Sequence, residues 1–270
     1  MFNPFKRRWV KVLSIGIVLF ASSITIVLAV LLRDNRPPDV KAYQAIRSDW
    51  EAYHRDRTNQ SKSAEEKAAT KTAFAKRCLA LSDTYPHSVP EIAALQIAAS
   101  WAKKTELGQQ AFERLCQRIN TADLESIARG TQNPGATRVP EIAPLIVERV
   151  QGHLDHPYAC TLLVRACLDA GSGSEEEVVP PAFTKAADLI VKHFAMYPQI
   201  EGFINTLGNG YYSPHWASQF EPHLRTILKV NPSRWIRCCA ALSLASIIQA
   251  NPDRQPEAEK LLDEFMQTSA

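Results

Sequence analysis

The side chains best able to do chemistry in this sequence are its cysteines: Cys78, Cys116, Cys160, Cys167, Cys238 and Cys239. Their spacing decides how they can be used. A thiol-exchange centre of the Cys-x-x-Cys kind lowers one thiol pKa and keeps a resolving thiol close, and no Cys-x-x-Cys occurs. Cys160 and Cys167 are seven residues apart, which on one helix is roughly 10 Å of rise and beyond disulfide reach. Cys238 and Cys239 are neighbours that point to different sides of a helix, so a bridge between them is strained. Most of the six fall on apolar helix faces and read as small core residues.

His153, His156, Cys160 and Cys167 form the one metal-like grouping in the sequence. Zinc takes four converging N or S ligands. Gly152 and Pro157 place the two histidines around a helix start, and the two cysteines cannot reach one ion without a helix break. There is no His-Glu-x-x-His and no Gly-x-Ser-x-Gly elbow, so neither a zinc protease helix nor a serine nucleophile turn is encoded. Residues 170–177 (Ala-Gly-Ser-Gly-Ser-Glu-Glu-Glu) hold the small residues of a phosphate cradle but not its Lys-Ser/Thr end or a preceding strand. Their three glutamates read as a solvated charge run. The expectation is therefore no catalytic, metal-binding or cofactor-binding residue, and no cofactor. Tyr211, Tyr212, His215 and Trp216, around the glycine-rich turn after Gly208, are the candidate partner-binding group. Core packing at a helix corner is the competing reading of those aromatics.

The elements that would position these groups are helical. Ala, Leu, Glu, Lys and Gln recur at helical spacing, and period-two strand patterns are missing beyond the N-terminus. Ser63-Ala64-Glu65-Glu66 is a capping box that opens a long helix with Ala73, Phe74, Cys78, Leu81 and Tyr85 along one stripe. Pro90, Pro140, Pro157, Pro181, Pro214 and Pro256 mark helix starts, and Tyr85-Pro86, Tyr197-Pro198, Asn231-Pro232 and Asn251-Pro252 mark ends. Residues 130–137 read as a loop, and one helix is expected from Pro214 through Leu228. Leu145–Arg149 and Leu189–His193 are alike and 44 positions apart, a spacing in the range of helical repeats. The predicted fold is all-α, an α-solenoid-like stack of helical hairpins, with an irregular bundle as the alternative. The predicted divisions are 1–36, 37–172 and 173–270, with residues 170–177 as the internal linker.

Residues 12–32 are 21 residues without a charge, about 30 Å as a helix, enough for one bilayer core. Lys6, Arg7, Arg8 and Lys11 precede them, against Arg33, Asp34 and Arg36 beyond. The stronger positive cluster is expected to stay in the cytoplasm. This predicts a single-pass anchor in the cytoplasmic membrane with the C-terminal part extracytoplasmic, and a cleaved signal peptide is the rival reading. The net charge of +3 belongs to this anchor: residues 37–270 hold 25 of the 31 basic groups and 27 of the 28 acids, net −2. A body without a basic stripe is not expected to bind nucleic acid.

Residues 74–86 (Phe-Ala-Lys-Arg-Cys-Leu-Ala-Leu-Ser-Asp-Thr-Tyr-Pro), Ala94-Leu95, residues 187–193, 220–232 and 239–245, and Ala258 to Leu262 carry a resemblance. Together they resemble the helical region that precedes the thioredoxin domain in membrane-anchored bacterial redoxins of the thiol-disulfide oxidoreductase (TlpA-like) kind, with tetratricopeptide-like hairpins but no clean repeat signature. The family's chemistry sits in a C-terminal thioredoxin fold with Cys-x-x-Cys, and this sequence ends at Ala270 without that motif. The resemblance therefore implies a helical body and no catalytic residue. The expected function is a non-enzymatic envelope scaffold that binds an unidentified envelope protein, or alternatively an accessory of a thiol-disulfide oxidoreductase.

Overall fold

The computed structural model describes residues 36–56, 61–132, 137–171, 178–208 and 214–267. Every regular element among them is helical, as the spacing predicts. The expected membrane span at 12–32 lies outside the described residues, and among those described no helix is long and apolar enough to cross a membrane. The chain divides into two compact units, residues 1–41 and 42–270. In the first, the Lys41 N–H donates to the Pro37 carbonyl at 3.0 Å and closes the opening turn of α1 (Pro38–Arg55).

The second unit is built on α2 (Ala64–Thr84), α3 (Val89–Trp101), α4 (Glu106–Thr121) and α5 (Leu124–Thr131). The capping box is formed: the Ser63 hydroxyl accepts from the Glu66 N–H at 3.1 Å, and the Ser63 N–H donates to the Glu66 carboxylate at 2.8 Å. Ten of the 13 residues of α3 are buried. A helix apolar on every side has to be enclosed, and α2, α4 and α5 enclose it. Gly130 makes the last of these contacts possible, since a Cβ there would sit 2.6 Å from Ile92 Cβ. Around the base of α1, Trp50 lies 5.4 Å from Trp101, and Tyr53 lies 6.3 Å from Phe74.

The chain continues through a 3-10 turn (Pro140–Ile142), α6 (Ala143–Gln151), α7 (Ala159–Ala170), α8 (Pro181–Phe194), a turn at Pro198–Ile200, α9 (Glu201–Gly208), α10 (Pro214–Gln219), α11 (Glu221–Val230), α12 (Arg234–Gln249), a turn at Pro252–Arg254 and α13 (Gln255–Gln267). The two similar segments fall on α6 and α8, which pack on either side of α7 and on each other, with Ile146 and Ile190 buried at matching places. Most of the expected linker, residues 172–177, lies outside the described residues. The helices that flank it, α7 and α8, pack together.

Two expectations need correcting. Helix α5 falls where the sequence pattern predicts no helix, and its last two residues, Gly130 and Thr131, belong to the stretch expected as loop. Its signal is Asp123, whose carboxylate accepts from the Ser126 N–H at 2.7 Å as an N-cap, followed by Leu124, Ile127 and Ala128 on the buried side. The single helix expected from Pro214 through Leu228 is instead α10 and α11, broken at Phe220. Pro222 causes the break, because inside a continuous helix it would lose an N–H bond and clash with the carbonyl four residues back. At the start of α11 it stands where the N–H has no helical partner anyway.

Gly130→Ala should destabilise the fold by about 1–3 kcal/mol through overpacking against Ile92. Gly152, with open space where its Cβ would go and a φ of −81°, should accept Ala with a gain of about 0.4–1 kcal/mol. Urea unfolding of the two variants checks both signs. A second test concerns α11 and the Pro252–Arg254 turn that leads into α13, which are tied by Glu221: its carboxylate accepts from Arg254 at 2.8 and 2.9 Å and from Arg225 at 2.7 Å. Hydrogen bonds from Arg254, ahead of those from Arg225, hold the Glu221 carboxyl down at about 2 against an ordinary 4.5. A lowered carboxyl stabilises the fold above its unfolded value, and that share is lost as pH falls from about 4.5 through about 2. Both arginines are more than a third exposed, so the share is on the order of 1 kcal/mol after screening. Glu221→Gln should flatten the pH dependence of unfolding in that window and leave the slope above pH ~5 unchanged.

Candidate functional site

The predicted aromatic group is only partly described. Tyr211 and Tyr212 lie outside the described residues, and His215 is placed only as a member of α10. Trp216 is in the core at 2% exposure, edge-on to Phe183 with ring centres 5.6 Å apart.

The thiols are dispersed. Cys78, Cys160, Cys167 and Cys239 are buried, Cys116 and Cys238 are half-buried, and no disulfide links any of them. Burial pushes Cys78 and Cys160 up to about 12 and raises Cys167 further. A buried thiol held neutral in this way is a poor nucleophile. Among the described residues, no three or more His, Cys, Asp or Glu side chains converge as a metal site, and the His156 ring nitrogen Nδ1 accepts from the Tyr158 N–H at 3.3 Å.

Two clefts flank the α3–α4 pair. The first encloses about 300 Å³ and is polar, with Ser82, Asp83, His87, Glu91, Arg114 and Arg118 in its wall. Glu91 is the buried charge of α3. Its Oε2 accepts from the His87 N–H at 2.7 Å and from Arg118 Nε at 2.9 Å, and its Oε1 accepts from the Ser82 hydroxyl at 3.0 Å. Arg118 also donates to the His87 carbonyl at 3.0 Å. His87 has a φ of 67°, a region L-residues rarely adopt, and both of its backbone polar groups are bound by this pair. Arg114 is occupied by Asp83 at 2.6 Å. A carboxylate with three donors and a guanidinium bound to backbone form a lock for the α2–α3 turn and have little freedom for acid–base work.

The second cleft encloses about 270 Å³ at the α3–α4 corner. Ala99, Phe112 and Val139 supply its apolar surface, and Ser100, Lys103, Gln109, Arg138 and Glu141 its polar one. Thr105 shapes the corner: its hydroxyl accepts from the Gly108 N–H at 3.2 Å and donates to the Ala102 carbonyl at 2.8 Å. Gly108 is obligatory there, since a Cβ would meet that carbonyl oxygen at 2.0 Å. Lys103 pairs with Glu141 at 2.5 Å. Burial pushes the Glu141 carboxyl up, but Lys103 outweighs it and the net shift is down. Arg138 is exposed and, among the described residues, has no carboxylate within ion-pair distance, so the cleft offers a cation without a direct ion pair beside an apolar floor.

The loop that delivers Arg138 is held from below. Arg165 donates to the Thr131 carbonyl at 2.6 Å, to the Thr137 carbonyl at 3.1 Å and to Asp169 at 2.8 Å. Asp169 is fully buried. Its burial raises its carboxyl despite the opposing pull of Arg165.

Sequence reasoning missed both clefts and both buried ion pairs. The local cues were Glu91 as the one charge in an otherwise apolar run and the four-residue spacing of Arg165 and Asp169 on one helix. Comparison with family models, with curated proteins and with solved structures gives no match to this chain. The likeness to the helical region of redoxins therefore stands on the sequence patterns alone.

Replacing Arg118 with Met should cost about 3–5 kcal/mol, because it leaves the Glu91 carboxylate buried without its counter-charge. Chemical unfolding measures this. A loss under about 1 kcal/mol would mean that the pair behaves as a surface bridge.

Proposed function

We propose that this chain is a non-catalytic interaction protein of the bacterial cell envelope. In this reading residues 12–32 anchor it in the cytoplasmic membrane, and residues 37–270 present a solenoid-like stack of helical hairpins, in subdomains 37–172 and 173–270, to an envelope protein. Sequential neighbours α2, α3 and α4, then α6, α7 and α8, then α11, α12 and α13 pack in turn, which supports a neighbour-to-neighbour stack.

The observation that carries the reading is the α3–α4 corner cleft. An apolar floor of Ala99, Phe112 and Val139 beside the exposed Arg138, which makes no direct ion pair among the described residues, suits an apolar side chain followed by a carboxylate, as in an acidic-hydrophobic peptide segment. Tyr211, Tyr212, His215 and Trp216 are kept as a second contact region, with Trp216 acting from the core by holding α10 in place. An accessory role beside a thiol-disulfide oxidoreductase is the version of this proposal in which the partner is that enzyme. It is carried by the resemblance, while the dispersed, mostly buried thiols add nothing to it.

The test is in-cell photocrosslinking of the full-length protein with an encoded benzophenone at position 112, and at position 178 as a control. The expected result is a discrete adduct at 112, absent at 178 and reduced roughly tenfold by Arg138→Glu, as for loss and reversal of one charge contact at an interface. The same adducts at 112 and 178, unaffected by Arg138→Glu, would end this reading.

A further inference from the structure

The large apolar side chains left in water concentrate in one stretch of the chain. Of the six large ones exposed among the described residues, five lie between positions 196 and 242: Met196, Tyr197, Val230, Trp235 and Leu242, at 39–62% exposure. One side chain joins the elements that carry them. Asn231 Nδ2 donates to the Ala195 carbonyl at 2.7 Å and reaches the Tyr197 carbonyl at 3.4 Å, so the turn bearing Met196 is held against the α11–α12 corner bearing Val230. The Asn231 side-chain oxygen accepts from the Ser233 N–H at 2.9 Å, and Arg237 donates to the Asn231 carbonyl at 2.9 Å. This fixes the first turn of α12, where Trp235 stands. Trp235, half-buried Cys238 and Leu242 follow at three- and four-residue steps along one face of α12, a stripe about 10 Å long. Ile236, Ala240, Leu244 and Ile247 fill the core from the other side of the same helix.

The stretch that carries this face is net basic. Residues 192–242 contain Lys192, Arg225, Lys229, Arg234 and Arg237 against Glu201 and Glu221, a net of +3 within a body of net −2. Glu221 is already spent on Arg225 and Arg254. Lys192, Lys229 and Arg234 are exposed and make no ion pair among the described residues. Lys229 and Arg234 stand beside Val230 and Trp235 in the chain.

Charge and shape select the occupant. A second copy of the same face would bring like charges together. A helical peptide needs a groove, and neither cleft described above is lined by any of the five side chains. Trp and Tyr with aliphatic neighbours, flanked by uncompensated cations, match the headgroup zone of an anionic bilayer. We propose that Met196, Tyr197, Val230, Trp235 and Leu242, with Lys229 and Arg234, form a docking surface that lays the helical body on an anionic phospholipid leaflet. The inference rests on the anchored reading of residues 12–32 only in that the anchor keeps a bilayer close.

The test uses the full-length protein in vesicles of phosphatidylethanolamine with roughly one-quarter phosphatidylglycerol, a composition that gives a negative surface potential. An encoded fluorescent residue is placed at 242, or at 178 as the exposed control outside the patch. Doxyl-labelled lipid and aqueous iodide serve as quenchers. Docking predicts that doxyl lipid quenches position 242 and not 178, and that iodide does the reverse. Lys229→Gln with Arg234→Gln should lower the docked-to-undocked ratio roughly 30-fold, from the lost attraction of each cation to an anionic surface, and phosphatidylcholine vesicles should do likewise. Iodide quenching at 242 equal to that at 178 overturns the proposal. So does protection of 242 from both quenchers, which would place a protein on this face. Resistance to alkaline carbonate extraction is scored separately. A protein that washes off but quenches as predicted before washing keeps the docking surface and loses the anchor. A resistant protein with 242 in water keeps the anchor and loses the docking surface.

Discussion

Enclosure of α3 is the constraint on which the first half of the body depends. With ten of its 13 residues buried, this helix has no face to give to water, and α2, α4 and α5 are arranged by the need to cover it. Coverage on that scale brings Glu91 inside as well. A buried carboxylate without donors would cost more than the surrounding apolar contacts return, so Arg118, Ser82 and the His87 N–H are drawn to it from three directions. The His87 turn, with its positive φ, is the local strain accepted so that the α2–α3 corner can supply one of those donors.

The same economy recurs at other corners, where long side chains satisfy backbone carbonyls that leave helices and have no partner of their own. Arg165 binds two carbonyls on either side of residues 133–136, and Arg149 donates to the Ala122 carbonyl at 3.0 Å. Asn231 and Arg237 do this for the turns around α11 and α12. An arginine fork suits the task because its donors are rigid and spread over several directions. The corners are thereby set from helix faces, and the cleft bearing Arg138 and the exposed α12 face both sit on segments fixed in this way.

Local chemistry was legible in the sequence and distant chemistry was not. The Ser63–Glu66 capping box, the proline starts and the Asn-Pro stops act within a few residues, and each places a helix boundary close to where it falls. Helix α5 escaped because it is eight residues long and lies against a glycine-rich stretch that reads as loop. The Pro214 helix was read as continuous because its apolar spacing runs on through Phe220, whereas the steric effect of Pro222 decides the break. Glu91 and Arg118 are 27 residues apart, and no periodicity connects them. Asn231 reads as a helix stop, but its hydrogen bonds to residues 195 and 197 depend on tertiary packing. Of the aromatics near position 216, Trp216 lies in the core, a burial that apolar spacing alone does not distinguish from a partner contact, and Tyr211 and Tyr212 lie outside the described residues.

Helix α12 shows how one element can serve two solvents. Its inner side is apolar in the ordinary way, and Gly208 approaches it so closely that a Cβ would meet the Ser243 hydroxyl at 2.2 Å. Its outer side keeps Trp235 and Leu242 in water, although nothing in the core requires them there. Exposed apolar residues scattered singly need no explanation, but five grouped within 47 positions and joined by one asparagine are a different case. The same stretch carries a basic excess, with Lys229 and Arg234 exposed beside Val230 and Trp235. Exposed aromatics beside unbalanced cations are complementary to a partner that is both apolar and anionic, and under the docking proposal a phospholipid leaflet supplies both properties at once.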